Sequence, residues 1–219
     1  MARTAKIVDR EPPATEAAAC DATVAWYDAE ARAYFASTVD LYLAALWDRF
    51  LDKLPPGGRI LDAGSGSGRD TRAFKDRGFR VDAFDASPAL ARLSSAYTGQ
   101  QTRVARFSDW SGPPGYYDGI WAFASLLHVP RPQLPEAIDR LAASLKPGGI
   151  LFASFKVGAA DSVDSRGRRF TNLTPSQAEL LFRRSGAFDD VQVETDEAPA
   201  AHGEITRWVY ILARRSGPG

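Results

Sequence analysis

From residue 59 onward the apolar positions fall into short runs, and the stretches between them carry apolar residues at helical spacing. The runs are Arg59 to Ala63, Arg80 to Phe84, Thr102 to Ala105, Asp118 to Phe123 and Ile150 to Phe155, and each predicts a buried strand. Helices are predicted from Arg69 to Arg77, stopped by Gly78, and after Ser87, which caps a helix with Pro88 at its first position. A third joins Leu134, Ile138, Leu141 and Leu145 on one face and closes on Lys146-Pro147-Gly148-Gly149. Strands that alternate with helices predict an α/β fold, a doubly wound and mostly parallel sheet.

The flanks read differently. Residues 1–20 hold Pro12, Pro13 and scattered small or charged residues without periodicity, which predicts a flexible arm before a single domain over 21–219. Within it, 21–58 predicts two helices, the second with Val39, Leu43, Leu46 and Phe50 on one face, ended by Pro55-Pro56-Gly57-Gly58. Residues 59–156 are the predicted core. Residues 157–219 begin with a polar connection from Gly158 to Arg169. They go on to a helix capped by Thr174-Pro175 and ended by Gly186, and then to two strand candidates, Val191 to Glu194 and Trp208 to Leu212.

Composition narrows the function classes. Apolar residues make up 45% and charged residues 25%, as in ordinary globular proteins, and 27 basic residues balance 27 acidic ones. No whole-molecule positive field exists to draw nucleic acid or an anionic membrane, so the expected partner is a small molecule. Cys20 is the only cysteine, no histidine or cysteine cluster has metal-ligand spacing, and no metal is expected. No apolar segment has the length of a secretory core or of a bilayer span, which predicts a cytoplasmic protein.

The candidate chemistry lies where the first strand turns into a helix, at Ile60-Leu61-Asp62-Ala63-Gly64-Ser65-Gly66-Ser67-Gly68. Glycines at such a turn let the backbone approach a ligand closely; a plain strand-to-helix connection is the alternative. Asp85 ends the second strand, 21 residues after Gly64, where a carboxylate accepts bonds from ribose hydroxyls or, alternatively, caps the following helix. The nicotinamide fingerprint requires a glycine where Arg69 stands, and no Walker lysine closes the loop. Asp62 would repel a pyrophosphate but suits a ligand with an ammonium and a sulfonium.

Four blocks, LDAGSGSGRD, VDAFDASP, YDGIWAFASLLHVP and LKPGGILFASF, stand in the order found in class I S-adenosylmethionine-dependent methyltransferases, and the chain resembles small bacterial members of that family. The resemblance implies a Rossmann-like, seven-stranded sheet with a reversed last strand and N-terminal helices. It also implies S-adenosyl-L-methionine as cofactor, Gly64, Gly66 and Gly68 along its methionine part, Asp62 near its ammonium, Asp85 on its ribose and Ala86 beside its adenine. Asp109, with Trp110 beside it, is implied at the adenine amino group. Ser65 departs from the cysteine of many relatives, a small-for-small change.

Methyl transfer from a sulfonium is downhill, so alignment is the main requirement and a base is needed only if the acceptor must lose a proton. His128, just past the fourth strand, is the candidate base; ordering its loop is the alternative. Tyr27 and Tyr34, near Trp26 and Phe35, are candidate lid residues over the cofactor, or plain core. Arg166, Arg168 and Arg169 form either an anion site for the acceptor or a solvated basic loop. The expected function is methyl transfer to oxygen, nitrogen or another nucleophile of a small molecule. The alternatives are a non-catalytic cofactor-binding module and a protein or nucleic-acid methyltransferase.

Overall fold

A computed structural model describes residues 16–199 and 205–217. One seven-stranded sheet organises it: β1 (Arg59–Ala63), β2 (Arg80–Asp85), β3 (Thr102–Val104), β4 (Tyr117–Ala122), β5 (Leu145–Lys156), β8 (Phe188–Pro199) and β9 (Ile205–Arg215). A two-residue pair, β6 (Ser162–Val163) and β7 (Arg169–Phe170), forms a separate small hairpin. In the main sheet the spatial order is β3-β2-β1-β4-β5-β9-β8. The first five strands are mutually parallel, and β9 runs antiparallel to both of its neighbours. The mostly parallel sheet with a reversed last strand is therefore as the sequence predicts, and the reversed strand lies inside the sheet.

The helices are α1 (Glu16–Ala29), α2 (Ala31–Thr38), α3 (Ala44–Leu51), α4 (Arg69–Asp76), α5 (Pro88–Thr98), α6 (Leu134–Ser144) and α7 (Pro175–Arg184). The chain moves outward from β1 through β2 to β3, then returns to β4 on the other side of β1. Right-handed crossovers thus put α4 and α5 on one face and α6 on the other. With both faces covered, β1 and β4 are buried along almost their whole length, and Ile60, Leu61, Ile120 and Trp121 are fully buried. The centre is an aromatic stack, with Trp121 4.1 Å from Phe152 and the rings of Phe50 and Phe74 packed against Trp121.

Local signals set the boundaries. The Ser87 hydroxyl accepts from the Leu90 N–H at the start of α5, and Thr174 with Gln177 forms a capping box on α7. Two expectations for the N-terminal region change. Helix α1 already includes Glu16 to Cys20, so the predicted arm reaches too far; residues 1–15 lie outside the described residues. Where two helices were predicted there are three, because the chain leaves helical geometry between Val39 and Leu43, and only Leu46 and Phe50 of the predicted stripe belong to α3. The apolar spacing continues across the break because Leu41 and Leu43 face a cavity.

Gly68 starts α4 with a left-handed φ of 81°, and a Cβ there would lie 2.6 Å from Ser94 Oγ and 2.9 Å from Thr98 Cγ2 of α5. Its lack of a side chain lets two helices touch. Gly68→Ala combines backbone strain with overpacking, together about 2–4 kcal/mol, and should lower the melting temperature by several degrees in a thermal scan.

Candidate functional site

The sheet reverses its winding between β1 and β4, and there the loops after the two strands part to leave a crevice. They remain close at its floor: Ser125 Oγ donates to the Ala63 carbonyl at 2.7 Å, and a Cβ on Gly64 would meet Ser125 Cβ at 2.5 Å. Two cavities of about 780 and 1240 Å³, open mouths included, meet in this crevice and share Tyr27, Tyr34, Gly64, Gly66, Ala124 and His128. Ala124 is the only non-glycine with positive φ among the described residues, at 50°. Its N–H donates to Ser154 Oγ at 2.7 Å, which pins this sparsely populated geometry at the junction of the cavities.

The first cavity extends over β2. Its walls are the apolar Phe84, Leu90 and Ala105 with Asp85, Ala86 and the segment Arg106 to Ser108. Asp85 accepts from the Gly66 N–H through one oxygen and from the Ser87 N–H through the other, both at 2.8 Å. Burial pushes its carboxyl up, and these backbone donors pull it back. Each oxygen keeps a lone pair for a further donor.

The second cavity extends over β4, β5 and β9 and is lined by Ser65, Ser67, Arg69, Asp70, Phe123, Lys156, Trp208 and the hairpin residues around Arg168. Here lies a buried ion pair that sequence reasoning missed. Arg69 grips Asp70 through two bonds of 2.8 Å, and the indole N–H groups of Trp47 and Trp121 donate to the same carboxylate at 2.8 and 2.9 Å. Burial alone would raise the Asp70 pKa; the guanidinium and the indoles hold it below the usual carboxylate range. The sequence signal was the adjacency of Arg69 and Asp70 just past the glycine loop.

A roof crosses the crevice. Thr23 Oγ1 accepts from the Arg169 N–H at 3.0 Å, tying α1 to the hairpin. Arg168 binds Asp164 through Nε and Nη2 and donates through Nη1 to the Tyr27 hydroxyl at 3.2 Å. His128 lies beneath, its Nδ1 2.7 Å from the Arg169 carbonyl and its Nε2 2.9 Å from the Tyr27 hydroxyl. A carbonyl only accepts, so Nδ1 carries the proton and Nε2 accepts from Tyr27. Burial pushes the His128 pKa down to about 4, which leaves the ring neutral at pH 7.

The structure thus gathers Gly64, Gly66, Asp85, Ala86, Tyr27, Tyr34 and His128 around one crevice. Four other predicted residues lie elsewhere. Asp62 sits behind the glycine loop, where its carboxyl accepts from Thr71 Oγ1 at 2.6 Å. Burial and the neighbouring Asp70 charge raise its pKa to about 8. Gly68 packs α4 on α5 and lines neither cavity. Asp109 is exposed, and Trp110 is core: its ring stacks 4.7 Å from Phe84 and its N–H donates to Ser144 Oγ. The wall near the first cavity comes instead from Ala105 to Ser108, because the chain turns away from the crevice before Asp109.

A family model described as a methyltransferase domain matches residues 35–184, more than half of the chain. The chain belongs to the methyltransferase-domain family. The chain is 42% identical over 106 residues to the ubiquinone biosynthesis O-methyltransferase of Xanthomonas campestris pv. campestris, across 45% of this chain and 43% of that protein. The 2-methyl-6-phytyl-1,4-hydroquinone methyltransferase of Synechocystis sp. is 32% identical over 128 residues, 55% of this chain and 39% of that protein. The chain therefore spans less than half the length of these curated relatives. The same fold is found in the 1,6-didemethyltoxoflavin-N1-methyltransferase of Burkholderia thailandensis, crystallised with 1,6-didemethyltoxoflavin and S-adenosylhomocysteine. The TM-score is 0.72 at 21% identity, over 94% of this chain and 93% of that one. Among the described residues no helix is long and apolar enough to cross a membrane, and no acidic, histidine or cysteine cluster could hold a metal.

Removing the Asp70 carboxylate strands a buried guanidinium and two indole N–H groups. Asp70→Ala should cost about 3–5 kcal/mol in denaturant unfolding, with the dependence on denaturant concentration unchanged.

Proposed function

We propose that this methyltransferase takes its methyl group from S-adenosylmethionine and passes it to a nucleophilic oxygen, nitrogen or other atom of a small molecule in the cytoplasm. The observation that carries this reading is the continuity of the two cavities through Gly64 and Gly66, with Asp85 standing over the first. Adenine suits the apolar slot between Phe84, Leu90, Ala105 and Phe107, next to Ala86, and the ribose hydroxyls suit the open lone pairs of Asp85. The methionine part then passes the glycine loop, where a side chain on Gly66 would press 3.3 Å from the Tyr34 ring and narrow the passage. Asp62 lines neither cavity, and burial raises its pKa, so it makes no charged contact with the donor.

This arrangement brings the sulfonium methyl to the junction of the cavities, under Ala124 and His128, with the acceptor facing it from the second cavity. Holding nucleophile, carbon and sulfur in line supplies most of the acceleration. Where the acceptor must lose a proton, neutral His128 takes it at Nε2 through the Tyr27 hydroxyl, while the Arg169 carbonyl fixes the tautomer. The names of the relatives speak of ubiquinone biosynthesis, a hydroquinone and 1,6-didemethyltoxoflavin, which supports a small acceptor. The roof over the second cavity and the balanced net charge favour it over a nucleic acid or a protein.

Calorimetric titration with S-adenosylhomocysteine tests the donor. At about 100 times its dissociation constant the ligand should add about 2.7 kcal/mol of stability, whereas NAD adds none. Asp85→Ala should weaken binding roughly tenfold to a hundredfold; equal affinity in variant and parent would refute the ribose assignment.

The proton relay has its own signature. With the His128 pKa at about 4, kcat/KM should lose its His128-dependent limb only below about pH 5, and His128→Asn should lower kcat by about 10²-fold or more. The folded pKa lies below the unfolded value of 6.5, so the unfolded chain binds the extra proton between these values. Stability then falls as pH drops from 6.5 toward 4, and His128→Asn should flatten that slope. An unchanged kcat with an unchanged slope would leave His128 only as a loop residue.

A further inference from the structure

We propose that the methyl acceptor is a flat ring with an uncharged oxygen (carbonyl, ether or hydroxyl) on the side away from the methylated atom, and that the Trp208 indole N–H donates to that oxygen while the ring lies against Phe123. The acceptor class and the residue that selects it rest on the donor reading above.

The tryptophans supply the first observation. Four of the five are buried: Trp47, Trp110, Trp121 and Trp208. Three of these have an acceptor for the indole N–H, since Trp47 and Trp121 donate to Asp70 at 2.8 and 2.9 Å and Trp110 donates to Ser144 Oγ at 3.2 Å. The Trp208 N–H has none among the described residues, although the residue is only 4% exposed and the nitrogen is sealed from bulk water. A buried donor without an acceptor is uncommon, and the fold has matched the other buried indoles. Trp208 differs from them in lining the second cavity, where an acceptor can arrive with a ligand.

Position ties this N–H to the acceptor rather than to the donor. Trp208 pairs with Lys156, the last residue of β5, and so stands at the carboxyl edge of the parallel strands, over which the cavities lie. In the sheet β9 is two strands beyond β4 and three beyond β1, which puts the indole at the end of the second cavity farthest from the glycine loop. With about 4.8 Å between neighbouring strands, β4 and β9 are roughly 10 Å apart, an interval that one ring with a substituent at each end bridges.

The wall between has the matching character. Ser65, in the glycine loop, lines the second cavity but not the first, and its hydroxyl is likewise buried without a partner among the described residues, while its N–H is held by the Phe84 carbonyl. Phe123, just past β4, lies between Ser65 and Trp208 in strand order. Its half-buried ring is nearly parallel to that of Trp208, with centres 5.9 Å apart. An apolar face with an unmatched polar group on either side suits a flat ring with polar atoms on opposite edges, the nucleophile toward the glycine loop and the second oxygen toward Trp208. Reaching the sealed N–H takes a small shift of Phe123, the less confined of the two rings, an adjustment of the kind that binding commonly brings. A hydrocarbon in place of the distal oxygen would fill the same space and leave the N–H unmatched, so selection lies in one hydrogen bond.

The test compares 4-hydroxyacetophenone with 4-isopropylphenol, which has nearly the same shape and no distal oxygen, each titrated calorimetrically into the full chain saturated with S-adenosylhomocysteine. Trp208→Phe keeps an aromatic ring and removes the N–H. In that variant the ratio of the two affinities should shift against the ketone by about fivefold or more, while the affinity for S-adenosylhomocysteine stays within about twofold. In isotope-labelled parent protein the Trp208 indole N–H resonance should move downfield with the ketone and clearly farther than with 4-isopropylphenol, a readout that does not depend on how well the variant folds. An unchanged affinity ratio in the folded variant, or an indole resonance that answers both phenols alike, overturns the inference and leaves the donor reading intact. Failure of both phenols to bind overturns the acceptor class in the same way. If S-adenosylhomocysteine does not bind the parent protein at all, the donor reading fails and this inference fails with it.

Discussion

The pairing of β1 with β4 is the constraint from which the rest of this structure follows. The chain leaves β1 in one direction, lays down β2 and β3, and comes back to place β4 on the opposite side. Two loops that leave adjacent strands toward opposite faces must diverge, and the space between them is the crevice. The bond from Ser125 to the Ala63 carbonyl fixes how far apart they stand. Asp85, one strand to one side, and Lys156, two strands to the other, then become the two ends of a single trough whose middle is Gly64 and Ala124.

Charge is distributed along that trough in a definite way. Asp70 stays ionised in the interior because four donors converge on it, and its field, together with burial, keeps the adjacent Asp62 largely protonated near neutral pH. The two carboxyl groups behind the glycine loop therefore contribute about one negative charge, not two, at neutral pH. Desolvation under the Tyr27 and Arg168 roof likewise keeps His128 neutral. The middle of the trough is thus weakly charged.

What could be read from the sequence was what is encoded locally. Glycines at a strand end, a carboxylate at the end of the next strand, and Ser87-Pro88 at a helix start each determine their own neighbourhood, so β1, α4, β2 and α5 stand where their patterns put them. The misplacements share one cause, namely that a side chain's facing depends on tertiary packing. Asp62 and Asp70 are equivalent as letters, but only Asp70 lines a cavity. In sequence Trp110 is next to the segment that lines the first cavity; in space it packs in the core, away from that cavity. The roof left no periodic trace either, since β6 and β7 are two residues each and their partner in α1 is distant in the chain.

The position of β9 bears on how the protein comes to be folded. This strand follows β8 in the chain yet lies between β5 and β8, so until residues 205–215 have been made, β5 has an open, apolar edge and β8 has no neighbour in the sheet. A nascent chain that has already formed β1 to β5 cannot close its sheet by adding strands in order; it must wait for β9 and take it in with β8. During that interval the Ile150 to Phe155 segment is an exposed apolar strand edge of the kind that pairs with other chains. Synthesis past residue 215, rather than completion of the β1 to β5 part of the sheet, is then the event that covers this edge.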